Sequence, residues 1–483
     1  MAPPHTPPWR HVATAILTSL DDGAVALVKR SARVGTFPGH WGGVSGFLEP
    51  GDASTRARAA AEVEEETGLT GLAHRAAGRP FAVDGGPGRR FVVHPHRFDV
   101  VGKPDLVLNW ENDDAAWVPR SALAAVAPLV PRLADAVERA SPSKRVAAGV
   151  STLAADRDHG AMQLAAGAVD VLRGEAADRK QEAVGDADAA LDSATDAAYT
   201  LAAARPAMWP LASALARVLD AARRERPVSA GDAWRAVEAA ALAELNRATA
   251  DAASLAGACA AVVESAVAAA PGKPIVSLSY SSSVVAGLTR AAAAALAASR
   301  PPLPVLVCES RPLLEGTRLA RAAADAGAAV ALCTDAAGAA LVARDGAAAV
   351  LVGADAVTAN AVVNKVGTSA LVRAAAAAGC PAYAVAGQLK LGGGVLAAVA
   401  AGRPPPPDAG GADPDGDELL PALPPGVELD GVRLVNPYFE AVPLTLFAGV
   451  AVEAGLLAPD EVAAAAREGR VAVAAAFGLS EWA

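Results

Sequence analysis

Three patterns of apolar and polar positions follow one another along the chain. The first contains short β-like runs, including His11–Leu20 and Arg90–Val101, on both sides of one helix-like segment. The second is almost entirely helical. In the third, short apolar runs alternate with Ala-rich helical segments, which is typical of a parallel sheet covered by helices. We therefore predict an α/β protein with three parts, residues 1–142, 143–272 and 273–483.

The periodicity also predicts individual elements. The predicted helices are Ser121–Ala140, Asp158–Arg173, Asp186–Ala204, Met208–Arg224 and Ala230–Ala269. The predicted parallel strands are Ile275–Leu278, Val305–Cys308, Ala329–Cys333, Ala348–Val352 and Ala382–Val385. A polar, Pro-containing stretch, Ser141–Arg145, marks the first boundary. Gly402–Pro425 is rich in Pro, Gly and Asp, which predicts a disordered loop.

Composition excludes several classes of protein. A net charge of −10 argues against a general DNA-binding or anionic-membrane surface. The four cysteines lie far apart without metal-ligand spacing, which predicts buried thiols in a reducing compartment. The Pro-rich N-terminus lacks the apolar core of a secretory signal, and no window is typical of a membrane span. We expect a cytoplasmic protein.

Candidate metal ligands lie in the segment Gly46–Leu69. Glu62, Glu65 and Glu66 are spaced so that their carboxylates project from one face of a helix. Crowded like charges destabilise a helix unless a cation lies between them, although a solvated acidic face is the simpler interpretation of three glutamates alone. Carboxylate oxygens suit Mg²⁺ or Mn²⁺, so we predict a divalent metal site.

Signals at both ends support a short helix here. Asp52 or Ser54 can cap its start, and Gly68 can end it in a left-handed conformation. With these signals the segment resembles the Nudix box, the signature of hydrolases that cleave a diphosphate linked to another group. The positions that match the box are Gly46, Asp52, Glu62, Val63, Glu65, Glu66, Gly68 and Leu69.

The resemblance implies an α/β/α sandwich, with Glu62, Glu65 and Glu66 as metal ligands and catalytic residues. Two features depart from the general pattern. The stretch between Asp52 and Glu62 is one residue longer, and Ala61 stands where the pattern has Arg. Both departures bear on activity more than on fold.

Two roles are considered for the tryptophans of the same part, and two for its histidines. Trp110 and Trp117 could stack on a nucleobase, but a packed or rim position is favoured. His94 and His96 alternate along a predicted strand, and we interpret them as surface or pocket polar residues rather than a metal pair.

Polar residues follow the predicted strands of the third part, at the sheet edge where such proteins bind ligands. The hydroxyls of Ser281, Ser282 and Ser283 open a helix and could bind an anion. Arg311 could bind a phosphate in a bidentate manner. The remaining candidate ligand-binding residues are Asn364, Lys365 and Lys390. Together they predict a pocket for a sugar phosphate or nucleotide.

Four motifs resemble a known family. ESRPLLEGTRLA at Glu309–Ala320, GADAV at Gly353–Val357, NKVGT at Asn364–Thr368 and NPYFE at Asn436–Glu440 are similar to the regulatory subunits of translation initiation factor 2B. They are also similar to the ribose-1,5-bisphosphate and methylthioribose-1-phosphate isomerases. The resemblance implies a helical subdomain, then a Rossmann-like domain through which a homodimer forms.

The isomerases of that family pair a cysteine with an aspartate. Asp355 matches the aspartate and is a candidate catalytic residue, whereas Tyr280 occupies the cysteine position, as in the initiation-factor subunits. A tyrosine, with an ordinary pKa near ~10, does not simply replace a thiol in proton transfer. Gly387 also stands where a glutamate is usual. These differences disfavour isomerase activity.

The sequence therefore predicts a metal-dependent Nudix-type hydrolase of a nucleoside diphosphate-linked substrate. The hydrolase is fused to an initiation factor 2B-like domain that binds a sugar phosphate or nucleotide. Two alternatives stay open: a regulatory or assembly protein of the initiation-factor type without catalysis, and a ribose-1,5-bisphosphate isomerase-like enzyme.

Overall fold

The structure is a computed structural model that describes residues 9–86, 88–156, 159–182, 184–401 and 431–480. The predicted loop Gly402–Pro425 lies outside the described residues. The chain forms an α/β protein, as predicted, with a strand-rich N-terminal part, a helical part and a parallel-sheet part.

An eight-stranded sheet forms the N-terminal part. Its strands are β1 (Arg10–Ser19), β2 (Val25–Arg30), β3 (Trp41–Gly42), β4 (Val44–Phe47), β5 (Ala73–Ala77), β6 (Phe81–Asp84), β7 (Arg90–Val100) and β8 (Asn112–Val118). The central pair, β1 and β7, is parallel along its whole length, and the other pairs are antiparallel. The main path through the sheet runs β3-β2-β1-β7-β5.

Helices α1 (Thr55–Thr67) and α2 (Leu133–Arg139) cover opposite faces of this sheet. Side chains alternate along β1, so Ala15 and Leu17 pack with Val63 of α1, whereas Ile16 packs with Leu133 of α2. The result is an α/β/α sandwich. Both faces of β1 are apolar because both faces are covered.

The predicted helix Ser121–Ala140 is wrong. A 3₁₀ turn, Arg120–Ala125, and the separate short helix α2 replace it. Pro128 and Pro131 lie between them, and proline has no backbone N–H for a helical hydrogen bond.

The helical part contains α3 (Lys144–Ala155), α4 (Ala161–Glu182), α5 (Ala187–Ala203), α6 (Trp209–Arg224) and α7 (Ala230–Ala269). Helix α3 was not predicted, because the polar stretch read as a boundary is its cap. Ser143 Oγ accepts a hydrogen bond from the N–H of Val146 at 3.2 Å.

The third part contains ten strands and six helices within the described residues. The strands are β9 (Ile275–Leu278), β10 (Pro304–Cys308), β11 (Ala329–Cys333), β12 (Ala349–Gly353), β13 (Ala356–Val357), β14 (Ala361–Lys365), β15 (Ala382–Val385), β16 (Phe439–Pro443), β17 (Gly449–Val452) and β18 (Gly455–Leu457). The helices are α8 (Ser282–Ala297), α9 (Gly316–Asp325), α10 (Asp335–Asp345), α11 (Thr368–Ala377), α12 (Val395–Ala401) and α13 (Pro459–Ala476).

The predicted strands of this part all form. They lie in a seven-stranded sheet of order β11-β10-β9-β12-β15-β17-β18, parallel except for the final β17–β18 pair. A separate antiparallel sheet, β13-β14-β16, was not predicted. It carries the Asn364-Lys365 motif at the end of β14.

Helix α7 is unbroken over 40 residues. It is the one helix among the described residues that is both long enough and apolar enough to cross a membrane, by length and composition only. The expectation that no window is typical of a membrane span was therefore wrong. The core helix of a soluble protein passes the same test. Here α7 packs against α4, α5, α6 and α8.

The N-terminal part packs on the helical part through buried ion pairs. Arg79, whose side chain is 9% exposed, reaches Asp192 Oδ1 and Asp196 Oδ1 of α5, each at 2.6 Å. Arg139 lies 3.8 Å from both carboxylates. The contacts of Arg79 join residues that are more than a hundred positions apart in sequence.

Candidate active site in the N-terminal sandwich

Helix α1 has both ends predicted from the sequence. Ser54 Oγ accepts a hydrogen bond from the N–H of Ala57 at 3.1 Å, and Gly68 ends the helix with φ 70°. Asp52 does not cap the helix. Its Oδ2 accepts a hydrogen bond from the N–H of Glu49 at 2.7 Å, which closes the loop before the helix.

The close approach of β4 to α1 explains the glycine of the motif. A Cβ built on Gly46 would lie 1.4 Å from Glu62 Oε1, so any side chain at position 46 would displace the Glu62 carboxylate. Glu62 is buried, and burial raises the pKa of its carboxyl, an effect that Arg58 opposes.

Arg58 is a site residue that the sequence reasoning missed. Its guanidinium donates hydrogen bonds to Glu62 Oε1, from Nε at 2.8 Å and from Nη2, and Nη2 also lies 3.3 Å from Glu65 Oε2. Ala61 holds the position where the family pattern has Arg, so Arg58 brings a guanidinium to Glu62 from one turn earlier. The i, i+4 spacing to Glu62 was the available signal.

Glu66 is the most deeply buried of the three glutamates, at 1% exposed. Its Oε1 accepts a hydrogen bond from the N–H of Ser45 at 3.1 Å, and its Oε2 accepts one from Asn112 Nδ2 at 2.6 Å. Burial raises the pKa of the Glu66 carboxyl to about 7, the Asn112 hydrogen bond lowers it, and the charges of Glu62 and Glu111 raise it. Glu66 is therefore poised to hold or release a proton near neutral pH.

The carboxylates fit a hard divalent cation by donor chemistry. Neither Glu62 Oε2 nor Glu65 Oε1 accepts a hydrogen bond from any described residue, so each has free lone pairs. Glu65 is 57% exposed and can turn. However, no group of three or more His, Cys, Asp and Glu side chains is already gathered for a metal ion within the described ranges. Ion binding would require Glu65 to turn inward.

The two strand histidines are buried, not surface or pocket residues. His94 and His96 are 3% and 4% exposed. His94 Nε2 lies 2.8 Å from His11 Nδ1, and His96 Nδ1 lies 3.2 Å from His74 Nε2. His96 Nε2 lies 3.0 Å from Thr55 Oγ1, at the first turn of α1.

Burial lowers the pKa of all four histidines. The pKa of His94 falls to about 3 and that of His74 to about 4. The pKa of His11 is also lowered, and that of His96 lies well below its usual value. Neutral rings joined by hydrogen bonds therefore support the sheet beneath α1.

The two tryptophans differ. Trp110 is 55% exposed, and the Arg33 guanidinium lies over its ring, 5.7 Å from the ring centre. Trp117 is partly buried and donates from Nε1 to Pro104 O at 3.2 Å. Trp117 is thus a packing residue, and Trp110 is at the rim.

In the third part, Asp355 and two lysines lie together at the carboxyl edge of the sheet. Burial raises the pKa of Asp355, which the positive charges of Lys390 and Lys365 oppose. Lys390 Nζ donates to Ala354 O at 2.5 Å, and burial lowers its pKa while Asp355 raises it. A carboxylate and two ammonium groups therefore lie close together in a partly buried position.

Lys365 extends the same group. Its Nζ lies 2.9 Å from Glu315 Oε2 and over the Tyr438 ring. Glu315 Oε2 also accepts a hydrogen bond from Ser279 Oγ at 3.1 Å. Glu315 lies in the ESRPLLEGTRLA motif but was not among the predicted site residues, because its contacts with Lys365 and Ser279 join residues far apart in sequence.

The other predicted binding residues have structural contacts. Ser281 caps α8, with its Oγ 3.5 Å from the N–H of Val284, while Ser282 and Ser283 form the first turn. Asn364 is buried and donates to Thr368 Oγ1 at 2.9 Å. The N–H of Arg311 donates to Asp335 Oδ2 at 2.7 Å.

Two carboxylates that were not among the predicted site residues, Glu440 and Glu453, lie against residues of this part that the sequence analysis singled out. Glu440 Oε1 accepts hydrogen bonds from the N–H of Gly367 at 2.7 Å and of Ser369 at 2.9 Å, at the start of α11. Glu453 lies against Gly387, where a built Cβ would be 2.9 Å from its Oε1. A carboxylate that directly follows β17 thus stands beside the position of the missing glutamate.

Two family models match the sequence. The model described as the initiation factor 2 subunit family matches residues 157–459, which is more than half of the chain. The chain belongs to the initiation factor 2 subunit family. The model described as the NUDIX domain matches residues 9–140, so this member of the family carries a Nudix domain in front of the family region.

Solved structures with similar folds come from both groups. Translation initiation factor eIF-2B from Pyrococcus horikoshii OT3 is 23% identical, with 66% of this chain and 98% of that chain covered and a TM-score of 0.48. The 5-methylthioribose 1-phosphate isomerase of the same organism is 21% identical, with 69% and 88% covered and a TM-score of 0.45.

The Nudix domain also has a match among solved structures. The MutT protein from Methanosarcina mazei Go1 is 23% identical over 28% of this chain and 93% of that chain, with a TM-score of 0.25. A search of the curated proteins finds no match.

Proposed function

We propose that the N-terminal sandwich is a Mg²⁺- or Mn²⁺-dependent hydrolase of a nucleoside diphosphate-linked substrate. The observation that carries the proposal is the position of the buried Glu62 carboxylate against β4, which only a glycine at position 46 allows, with Glu65 and Glu66 three and four residues further along α1. A bound cation would neutralise the charge of a diphosphate and lower the pKa of a water molecule.

The protein's own residues supply the rest of the chemistry. Glu62 and Glu65 would hold the cation through the oxygens that Arg58 leaves open, and Arg58 would keep Glu62 in place. Glu66, with its pKa near neutrality, is suited to accept a proton from the attacking water. Asn112 and the N–H of Ser45 fix the orientation of the Glu66 carboxylate.

A screen of nucleoside diphosphate-linked compounds with and without Mg²⁺ tests the proposal. We expect Mg²⁺-dependent turnover that Glu65→Gln lowers by at least tenfold, because one ligand charge is lost. Glu64→Gln is the matched control, since Glu64 is an exposed neighbour on another face of α1. No turnover by the wild type, or equal losses in both variants, would contradict the assignment.

We also propose that the family region binds a sugar phosphate or nucleotide at the group formed by Asp355, Lys365 and Lys390. The proximity of two lysines to the carboxyl ends of the strands favours this function. Tyr280 in the cysteine position favours a role in regulation or in assembly as a homodimer over isomerisation. A cytoplasmic location is part of the same proposal.

Ribose 5-phosphate and AMP are suitable probes of this second site. We expect each bound probe to raise the unfolding temperature of the wild type, and Lys365→Gln to reduce the shift. Lys144→Gln is the control, because Lys144 is exposed on α3. If neither probe shifts the wild type, or if both variants respond like the wild type, the binding proposal fails.

A further inference from the structure

The Nudix domain contains a strongly basic pocket near its cluster of carboxylates. It has a volume of about 380 Å³, and its charged lining residues are Arg10, Arg30, Arg33, Arg89, Arg90 and Glu111. The whole chain carries a net charge of −10, so five arginines around one pocket are not a consequence of average composition. Such a concentration of positive charge attracts anions.

Four arginines of the pocket, Arg10, Arg30, Arg33 and Arg89, are held by neutral groups. Arg33 Nη2 donates to Trp110 O at 2.7 Å, and Arg89 Nη1 donates to Gly35 O at 2.7 Å. Arg30 Nε donates to Thr36 O at 2.9 Å. The Arg10 guanidinium lies 3.6 Å from the centre of the Phe47 ring. These contacts fix the guanidinium groups and leave their charge uncompensated.

Counter-charges are missing where they would be expected. Across the described part of the chain, no carboxylate lies within ion-pair distance of Arg10, Arg30, Arg33 or Arg89. Elsewhere in the same domain, Arg75 and Arg97 share the carboxylate of Asp99. Clustered like charges repel, and an anionic ligand would relieve this repulsion through charge-assisted hydrogen bonds.

Glu111 connects the pocket to the proposed catalytic residues. It lines the pocket, and the next residue, Asn112, donates a hydrogen bond to Glu66 Oε2 at 2.6 Å. The basic pocket therefore lies close to the cluster of carboxylates. A substrate whose diphosphate lies at the glutamates could extend into the pocket.

We propose that the pocket binds further phosphate groups of the substrate, and that the Nudix domain acts on a polyphosphorylated small molecule. This inference rests on the proposed hydrolase function for the position of the scissile diphosphate. The binding of the additional phosphates by arginine needs no metal ion. Binding and hydrolysis can therefore be tested separately.

The test measures binding of inorganic tripolyphosphate to the full chain by calorimetry, with EDTA present to remove divalent cations. We expect binding that weakens with rising salt, because exposed charges are screened. Arg33→Ala and Arg89→Ala should each weaken it roughly tenfold, since a hydrogen bond to a charged group contributes on this scale. Arg120→Ala, an exposed arginine of the same domain outside the pocket, should leave it unchanged.

Two results would overturn the inference: no binding of tripolyphosphate by the wild type, or equal affinities for the wild type and both pocket variants. An equal loss in Arg120→Ala would point to nonspecific attraction and also count against it. Far-ultraviolet circular dichroism confirms that each variant is folded. If Mg²⁺-dependent hydrolysis occurs but this binding fails, the proposed function survives without the inference. If binding succeeds and no compound is hydrolysed, the pocket stands and the hydrolase proposal falls.

Discussion

At the residue scale, one missing side chain determines the geometry of the candidate active site. Gly46 allows β4 to pass so close to α1 that the Glu62 carboxylate occupies the space of a Cβ. Arg58 then holds that carboxylate, and Ser45 and Asn112 hold Glu66. Glu62 and Glu66 are thus held in fixed orientations by their neighbours, and such fixed groups are what electrostatic catalysis needs.

The buried histidines give the Nudix domain a predictable pH dependence. His94 has a native pKa of about 3 and an ordinary value of 6.5, so the unfolded chain binds its proton first as the pH falls. Protonation of His94 in the unfolded chain therefore has no effect on the free energy of unfolding above about pH 6.5 and lowers it toward pH 3, by about 1.4 kcal/mol per pH unit for this one group. The neighbouring His11, His74 and His96 act in the same direction.

Calorimetric unfolding of the full chain between pH 4 and pH 7 measures this dependence. His94→Gln, which keeps a hydrogen-bonding side chain without a titrating ring, should make the decrease with falling pH shallower. His40→Gln is the control, because His40 lies in a loop, belongs to neither of the two histidine pairs and contacts Pro38 O. A wild-type slope retained by His94→Gln would show that carboxyl groups, not this histidine, set the acid limit.

At the scale of elements, predictions succeeded where the signal is local. The cap at Ser54, the end at Gly68 and the shared face of the glutamates all follow from spacing within α1. The parallel strands of the third part were also predicted, because each is a short apolar run followed by polar residues. Periodicity carries such information within about ten residues.

Predictions failed where the partner is distant in sequence. Strand β14 pairs with β16, so that Asn364 lies opposite Glu440, and no local pattern indicates this pairing. Asn112 reaches Glu66 across 46 residues for the same reason. The helix predicted over residues 121–140 is wrong for a different reason. Its apolar spacing is typical of a helix, but its prolines interrupt the helical hydrogen bonds.

At the scale of the whole molecule, the two functional halves are attached by specific contacts as well as by the chain. Arg79 and Arg139 of the Nudix domain face Asp192 and Asp196 of α5. Arg79 Nη1 also lies 3.5 Å from Phe477 O, after the end of α13. Burial raises the pKa of Asp196, and Arg79 and Arg139 lower it, so the carboxylate depends on its partners.

Replacement of Arg79 tests whether these contacts hold the Nudix domain against the family region. In Arg79→Ala, Asp196 keeps only the longer contact with Arg139. The loss of stability should stay below about 3 kcal/mol, the typical cost of breaking a fully buried ion pair, because Asp192 is 59% exposed. We expect the calorimetric transitions of the two parts to move apart, with the Nudix domain unfolding first. Arg344→Ala is the control, because its pair with Asp345 is exposed to solvent. Identical transitions in the wild type and Arg79→Ala would mean that the Arg79 ion pairs do not hold the two parts together.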